Sequence, residues 1–332
     1  MYKYLLTATL YLLWQTLPVM TDTEQVTVEL KRVANTPYLE QRISEALAQG
    51  NIDDAEMYRN LADFIHVGID PRLISQIDIE NGAINKNWRR VQGCAIGFAS
   101  GRSDNVSEMT CATVADFTLV GDARDFSQQT YRYMTGGEVD EFVYILSVVG
   151  IGATVTTVFS GGVAAPAKVA ITALKLTKKA GNLSSGLIDS VSQLLKQSFD
   201  MQAFRAQLSK LDYRNFNQVK AAIVELFKTA KTEQVADFFQ DVHKISQSTS
   251  ATDVVKIIQY ADNTDDVKRL GKLSESFKQH TTAVLKILGK GAIRLTKFIT
   301  AKFLSFLAML ASLIYSISSF VINFIYLKVI RK

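Results

Sequence analysis

Asp116, Asp122, Arg124 and Asp125 stand close together in ADFTLVGDARDF, beside apolar segments. Three carboxylates and a guanidinium in such a place can relay protons or ions. They can equally make a capped turn, with Asp122 as N-cap and Arg124 paired to an aspartate. Capping turns are much the commoner use of these residue types, so the structural charge cluster is favoured over the relay. Cys94 and Cys111 are the other pair able to react. Each lies about seven residues, or roughly two helical turns, from the turn Arg102–Asn105. Equal distance from a turn places two thiols level on facing arms. A disulfide needs Cα atoms roughly 4.4–6.8 Å apart and persists only in an oxidising compartment. Two small buried thiols are the alternative, and the bridged reading leads narrowly.

The other residues that could do chemistry are not arranged for it. His66, His243 and His280 lie far apart in the chain and follow no metal-ligand spacing. The stretch Gly161-Gly162-Val163-Ala164-Ala165-Pro166-Ala167-Lys168 is no phosphate loop, and Pro166 stands in the way. Gly150-Ile151-Gly152 has no third glycine at the dinucleotide spacing. In Gly97-Phe98-Ala99-Ser100-Gly101 the serine is one place off a nucleophile elbow. No catalytic residue, cofactor-binding residue or metal ligand set is therefore expected, and no cofactor.

The elements around these residues begin with an apolar run. Tyr4 to Met20 follows Lys3, and Val19-Met20-Thr21 is a poor cleavage site. Residues 1–21 are a signal peptide or signal anchor, the uncleaved anchor being preferred. Gln25 to Leu30 alternates like a strand, while Leu30 and Val33 also fit a helix. Pro37 opens a helix over Tyr38–Gln49 with Leu39, Ile43, Ala46 and Leu47 inward, and Gly50-Asn51 ends it. Asp53 or Asp54 caps the next helix, with Ala55, Leu61, Ala62 and Ile65 inward, and Ile69-Asp70-Pro71 closes it. This looks like one unit of a helical repeat, but no second copy follows. It is a lone helical hairpin within an N-terminal segment, residues 22–83.

Residues 84–181 hold a Gly-rich helix pair and an apolar hairpin. Gly93, Gly97 and Gly101 recur at spacing four in the helix Asn85–Ser100, so the following helix, Val106–Val120, can approach closely. Gly121 to Phe126 breaks and restarts the chain, with Phe126 and Met134 inward. After Gly136-Gly137 come the acids Glu138, Asp140 and Glu141, then the uncharged run Phe142–Phe159. Ser160-Gly161-Gly162 turns the chain, and Val163–Leu174 runs on to Lys175, Lys178 and Lys179. Folded antiparallel, the acidic start meets the basic end, and each complements a helix dipole. At about 1.5 Å per residue the arms reach roughly 27 Å and 18 Å. Only the first approaches a hydrocarbon thickness. A buried core hairpin is favoured over one that dips into a membrane.

From Leu187 to Thr300 the apolar residues recur at helical spacing. Inward faces are Val219, Ala222, Ile223, Leu226 and Phe227; then Val235, Phe238, Phe239 and Val242; then Val254, Val255, Ile257 and Ile258. Residues 182–301 form an amphipathic helical bundle. Phe303–Leu327 carries no charge. As a helix it spans roughly 37 Å, enough to cross a bilayer with tilt. Lys328, Arg331 and Lys332 follow, so residues 302–332 are a C-terminal transmembrane helix and basic tail.

Composition agrees. Hydrophobic residues make up 48% of the chain, which is high for a protein without membrane segments. The net charge of +5 is spread without a basic block, so nucleic-acid binding is not expected. The fold class is mostly α: a helical bundle with an apolar helical hairpin and a C-terminal transmembrane helix.

ALAQGNIDDAEMYRNLADFIHVGIDPRL, GCAIGFASGRS and CATVADFTLVGDARDF together resemble a family of uncharacterised proteobacterial membrane proteins. The shared pattern is a helical hairpin, then G-F-x-x-G, then A-D-x-x-x-V-G-D-x-R-D. Gly97, Phe98, Gly101, Ala115, Asp116, Val120, Gly121, Asp122, Arg124 and Asp125 match it. The likeness runs from about Leu39 through the hairpin and more faintly over Thr252–Leu295. It implies no activity. VGDARD with the apolar hairpin is also similar to pre-toxin segments of bacterial polymorphic toxins. The usual C-terminal toxin domain is missing, and a membrane helix stands in its place.

The expected protein is thus a non-enzymatic envelope protein of the bacterial inner membrane, a scaffold or partner-binding module. Its partners are the lipid bilayer and an unidentified protein. Lys3 and the C-terminal cations favour a periplasmic central domain, against Lys290, Arg294, Lys297 and Lys302. The alternative is a membrane-active or toxin-system protein whose 142–174 hairpin inserts.

Overall fold

A computed structural model describes residues 21–82, 119–155, 164–212 and 215–295, with residues 310, 311, 313–315 and 317–319. Among the described residues every regular element is helical. The first apolar run, the Gly-spaced helix pair, Cys94, Cys111, Asp116, the turn at Gly161 and most of Phe303–Leu327 lie outside the described residues. Two compact units divide the chain: Leu30–Lys290, and Met1–Glu29 with Gly291–Lys332.

Helix α1 (Asp22–Val33) settles the alternating stretch as helix, not strand. Val26, Leu30 and Ala34 share the buried face at helical spacing. In the larger unit, α2 (Thr36–Ala48) and α3 (Ile52–Ile65) pack as the expected hairpin. Asn35 caps α2 by accepting from the Tyr38 N–H, with Pro37 in the first turn. The cap of α3 is Asn51, which accepts from the Asp54 N–H, and not Asp53 or Asp54. Those two acids sit in the first turn, where they complement the helix dipole. Asp70-Pro71 does more than close the hairpin. Asp70 caps a further helix, α4 (Pro71–Glu80), which packs on both α2 and α3.

The centre is built from α5 (Leu119–Met134), α6 (Glu141–Val155) and α7 (Ala164–Lys179). Gly121 does not break the chain. Helix α5 runs through it, so Asp122 lies in the first turn and is no cap. Phe126 is buried as expected, but Met134, at the helix end, is exposed. Every residue from Phe142 to Ala153 of α6 is buried. A helix apolar all round must be covered all round, and α5, α7, α8 (Ser185–Ser198) and α10 (Phe216–Lys228) pack against it.

Helices α6 and α7 meet as an antiparallel hairpin. The Lys178 ammonium, at the end of α7, lies 2.5 Å from both oxygens of Asp140, just before α6. Lys175 departs from expectation. It does not mark the end of the apolar arm, because α7 continues to Lys179 with Lys175 buried inside.

The jacket is completed by α9 (Met201–Leu208), α11 (Glu233–Ser248), α12 (Ala251–Ile258), α13 (Thr264–Phe277), a 3-10 turn (Lys278–His280) and α14 (Thr281–Leu288). Ser184, Asp200, Asn215, Ser250 and Asn263 each cap a helix through a side-chain oxygen. The inward faces read from the sequence for α10, α11 and α12 are all buried. Helix α7 packs on α11 and α12, which joins the hairpin to the bundle. The smaller unit contributes α15 (Gly291–Leu295) and helical pieces of 310–319, on which Ile314, Tyr315 and Ile317 are exposed. Among the described residues no helix is long and apolar enough to cross a membrane.

One glycine has a measurable role in this packing. A Cβ on Gly186, in the first turn of α8, would sit 2.6 Å from the Asp262 carbonyl oxygen. An alanine inside a helix ordinarily stabilises by roughly 0.5–1 kcal/mol over glycine. Here the neighbour is backbone and cannot turn aside. Gly186→Ala is expected to destabilise by about 1–3 kcal/mol, read as a lowered urea midpoint at unchanged slope.

Candidate functional site

Asp122 and Asp125 lie three residues apart on α5 and so share one face. Lys168, Lys175 and Lys179 lie seven and four residues apart on α7 and also share a face. The packing of α5 and α7 about α6 brings the two faces together. The Lys175 ammonium sits between the carboxylates, 2.6 Å from Asp125 Oδ2 and 3.1 Å from Asp122 Oδ1. It also donates to Ser147 Oγ of α6 at 3.3 Å. Ser147 in turn donates to the Val143 carbonyl at 2.8 Å. Lys168 pairs with the other oxygen of Asp122. Lys179 lies 3.4 Å from Asp125, and Arg124 3.1 Å from its Oδ1.

The centre of this cluster is dry. The Lys175, Asp122 and Asp125 side chains are 1%, 2% and 5% exposed. Gly150 of α6 faces the Asp122 carboxylate, and a methyl group there would overlap it. Burial alone would raise the Asp125 carboxyl. The Lys175 ammonium, with Lys179 and Arg124, more than reverses this and holds its pKa below the ordinary carboxylate value. Asp125 therefore stays ionised near neutrality. That suits a fixed charge partner better than a proton carrier, which needs a pKa near the working pH.

The cluster expected from sequence is thus changed in kind. Arg124 does pair with an aspartate, but no capped turn exists, because the helix is continuous. Asp116 lies outside the described residues. Lys168, Lys175, Lys179, Ser147 and Gly150 were not expected in the site. The one signal for them was lysine recurring on a single helical face inside an otherwise apolar run.

A separate cleft of about 670 Å³ opens beside the start of α6, lined by Glu141, Lys196, Asp200, Arg205 and Lys231 among others. Arg205 pairs with Glu141 and lies over the rings of Tyr144 and Tyr133, at 5.1 and 5.4 Å. The loop wall is held by the Lys231 N–H donating to the Ser198 carbonyl at 3.1 Å. The floor is apolar, from the buried Ile145, Phe199 and Met201. Such a mixture of charge and apolar floor can seat a polar segment of another chain. Among the described residues no group of three His, Cys, Asp or Glu could hold a metal ion. His280 stacks on Phe64 with ring centres 4.5 Å apart, and burial lowers its pKa.

No protein-family model, curated protein or solved structure matches the chain.

Removing one member of a buried ion cluster leaves its partners uncompensated. Lys175→Met is expected to cost about 3–5 kcal/mol. Lys178→Met, at a partly exposed pair, should cost no more than about 1 kcal/mol. Equal losses in urea unfolding would contradict the central role of Lys175. The depressed Asp125 pKa also sets a direction with pH. In acid the unfolded chain takes up the Asp125 proton first. Its contribution is present above about pH 4 and is lost as pH falls towards the folded value.

Proposed function

We propose that this chain is a membrane-tethered, non-catalytic helical adaptor of the bacterial envelope. The observation carrying this is the uncharged stretch Phe303–Leu327, whose described helical parts leave Ile314, Tyr315 and Ile317 exposed. A long apolar stretch with basic residues beyond its end suits a bilayer-spanning helix. In this reading the helix is the tether, with its basic end in the cytoplasm and the bundle on the periplasmic side of the inner membrane. The Arg205 cleft is then the surface offered to a protein partner. The resemblance to proteobacterial membrane proteins supports the same location.

A second reading has one specific support. Helix α6 is apolar on every side, and such a helix is as well suited to lipid as to a protein core. The α6–α7 hairpin could leave its jacket and insert, which would make the protein membrane-active. The ion cluster on α7 would have to be dismantled first.

Two experiments separate these. A soluble reporter fused to Lys290–Lys332 is expected to stay with membranes through a carbonate wash. Release into the supernatant would remove the tether. The purified chain added to dye-loaded anionic vesicles is expected to release no dye. Release that disappears when a disulfide joins α6 to α7 would replace the adaptor reading with the second.

A further inference from the structure

The Arg205 cleft, of about 670 Å³, carries two cations that the fold itself does not use. Its charged groups are Glu141, Lys196, Asp200, Arg205 and Lys231. Three of these are already engaged. Arg205 pairs with Glu141 and rests over the Tyr133 and Tyr144 rings. Asp200 caps α9, its Oδ1 accepting from the Ala203 N–H at 2.9 Å. Lys196, in the last turn of α8, and Lys231, in the loop between α10 and α11, are left. Both are exposed, and neither ammonium makes an ion pair or hydrogen bond among the described residues. Nor is Lys231 on a loop free to swing away. Its N–H donates to the carbonyl of Ser198, two residues beyond Lys196, so the two lysines stand on segments that touch.

We propose, on the reading of this cleft as the partner surface, that its occupant is a short acidic segment of another protein. An apolar side chain of that segment rests on the floor of Ile145, Phe199 and Met201, and its carboxylates meet Lys196 and Lys231. A concave wall focuses the field of unpaired cations, and the complementary charge on the partner gives selectivity. The volume is that of a ligand cleft, which takes a few residues and not a domain. Two other anionic partners fit less well. A bilayer is flat on this scale, so it meets the two lysines but not the apolar floor. Nucleic acid is held by many phosphate contacts, and two free cations supply few.

The test immobilises the full chain in mild non-ionic detergent and offers three pools of random nonapeptides. The pools share their apolar content and differ only in carrying acidic, neutral amide or basic residues. Retained peptides are read by mass spectrometry. Acidic peptides are expected to be enriched roughly three- to tenfold over neutral ones, as two exposed ion pairs allow. The enrichment should shrink in about 0.5 M salt, where exposed charges are screened. Lys196→Gln with Lys231→Gln should bring acidic peptides down to the neutral level, and glutamate at both positions should pass the preference to the basic pool. Both side chains are exposed, so far-UV circular dichroism is expected to be unchanged in each variant. Equal retention of the three pools would overturn the acidic occupant while leaving the cleft a partner surface. Retention of none would remove the partner surface as well. Acidic enrichment that survives both double substitutions would place the binding elsewhere and overturn the proposal. So would lysine-dependent binding of soluble short-chain phosphatidylglycerol without acidic enrichment, which would make the ligand a lipid headgroup.

Discussion

Lys175 between Asp122 and Asp125 is the contact on which the centre of the bundle depends. An ammonium with 1% exposure cannot stand alone, since burying a charge without a partner costs several kcal/mol. The two carboxylates are nearly as buried and need the cation equally. The three charges therefore fix the register of α5 against α7. They gain specificity from this more than net stability, because desolvation offsets much of their attraction. Gly150 makes the arrangement possible by leaving the space that the Asp122 carboxylate occupies.

Around that contact the packing follows from α6. A helix without a polar face has to be enclosed, and the amphipathic helices supply the cover with one apolar stripe each. Gly152 brings the Phe227 ring of α10 against the α6 backbone. Phe199, which lines the Arg205 cleft, then packs against Phe227 with the rings tilted by 49° and their centres 4.9 Å apart. The outer ion pairs, Lys178 with Asp140 and Arg205 with Glu141, are more exposed. They orient helix ends rather than hold the core.

The helical character of the chain was legible in its sequence, because period and capping are local. The stripes on α10, α11 and α12 follow from 3.6-residue spacing, and the Pro37 and Ser250 starts from cap chemistry. The pairing of the acidic start of the hairpin with its basic end was also legible, since neighbouring helices that pack antiparallel meet end to start. The cap of α3 was less so: Asn51 and the two aspartates beside it are all good caps, and only the backbone path selects one. Gly121 was misleading for a related reason, as a glycine lowers helix propensity without forbidding a helix that packing stabilises. The charge cluster was the least legible. Asp122 and Lys175 stand 53 residues apart in the chain, and nothing local marks them as partners. Folding α5 and α7 against one apolar helix brings them together, and dehydration then makes their pairing obligatory.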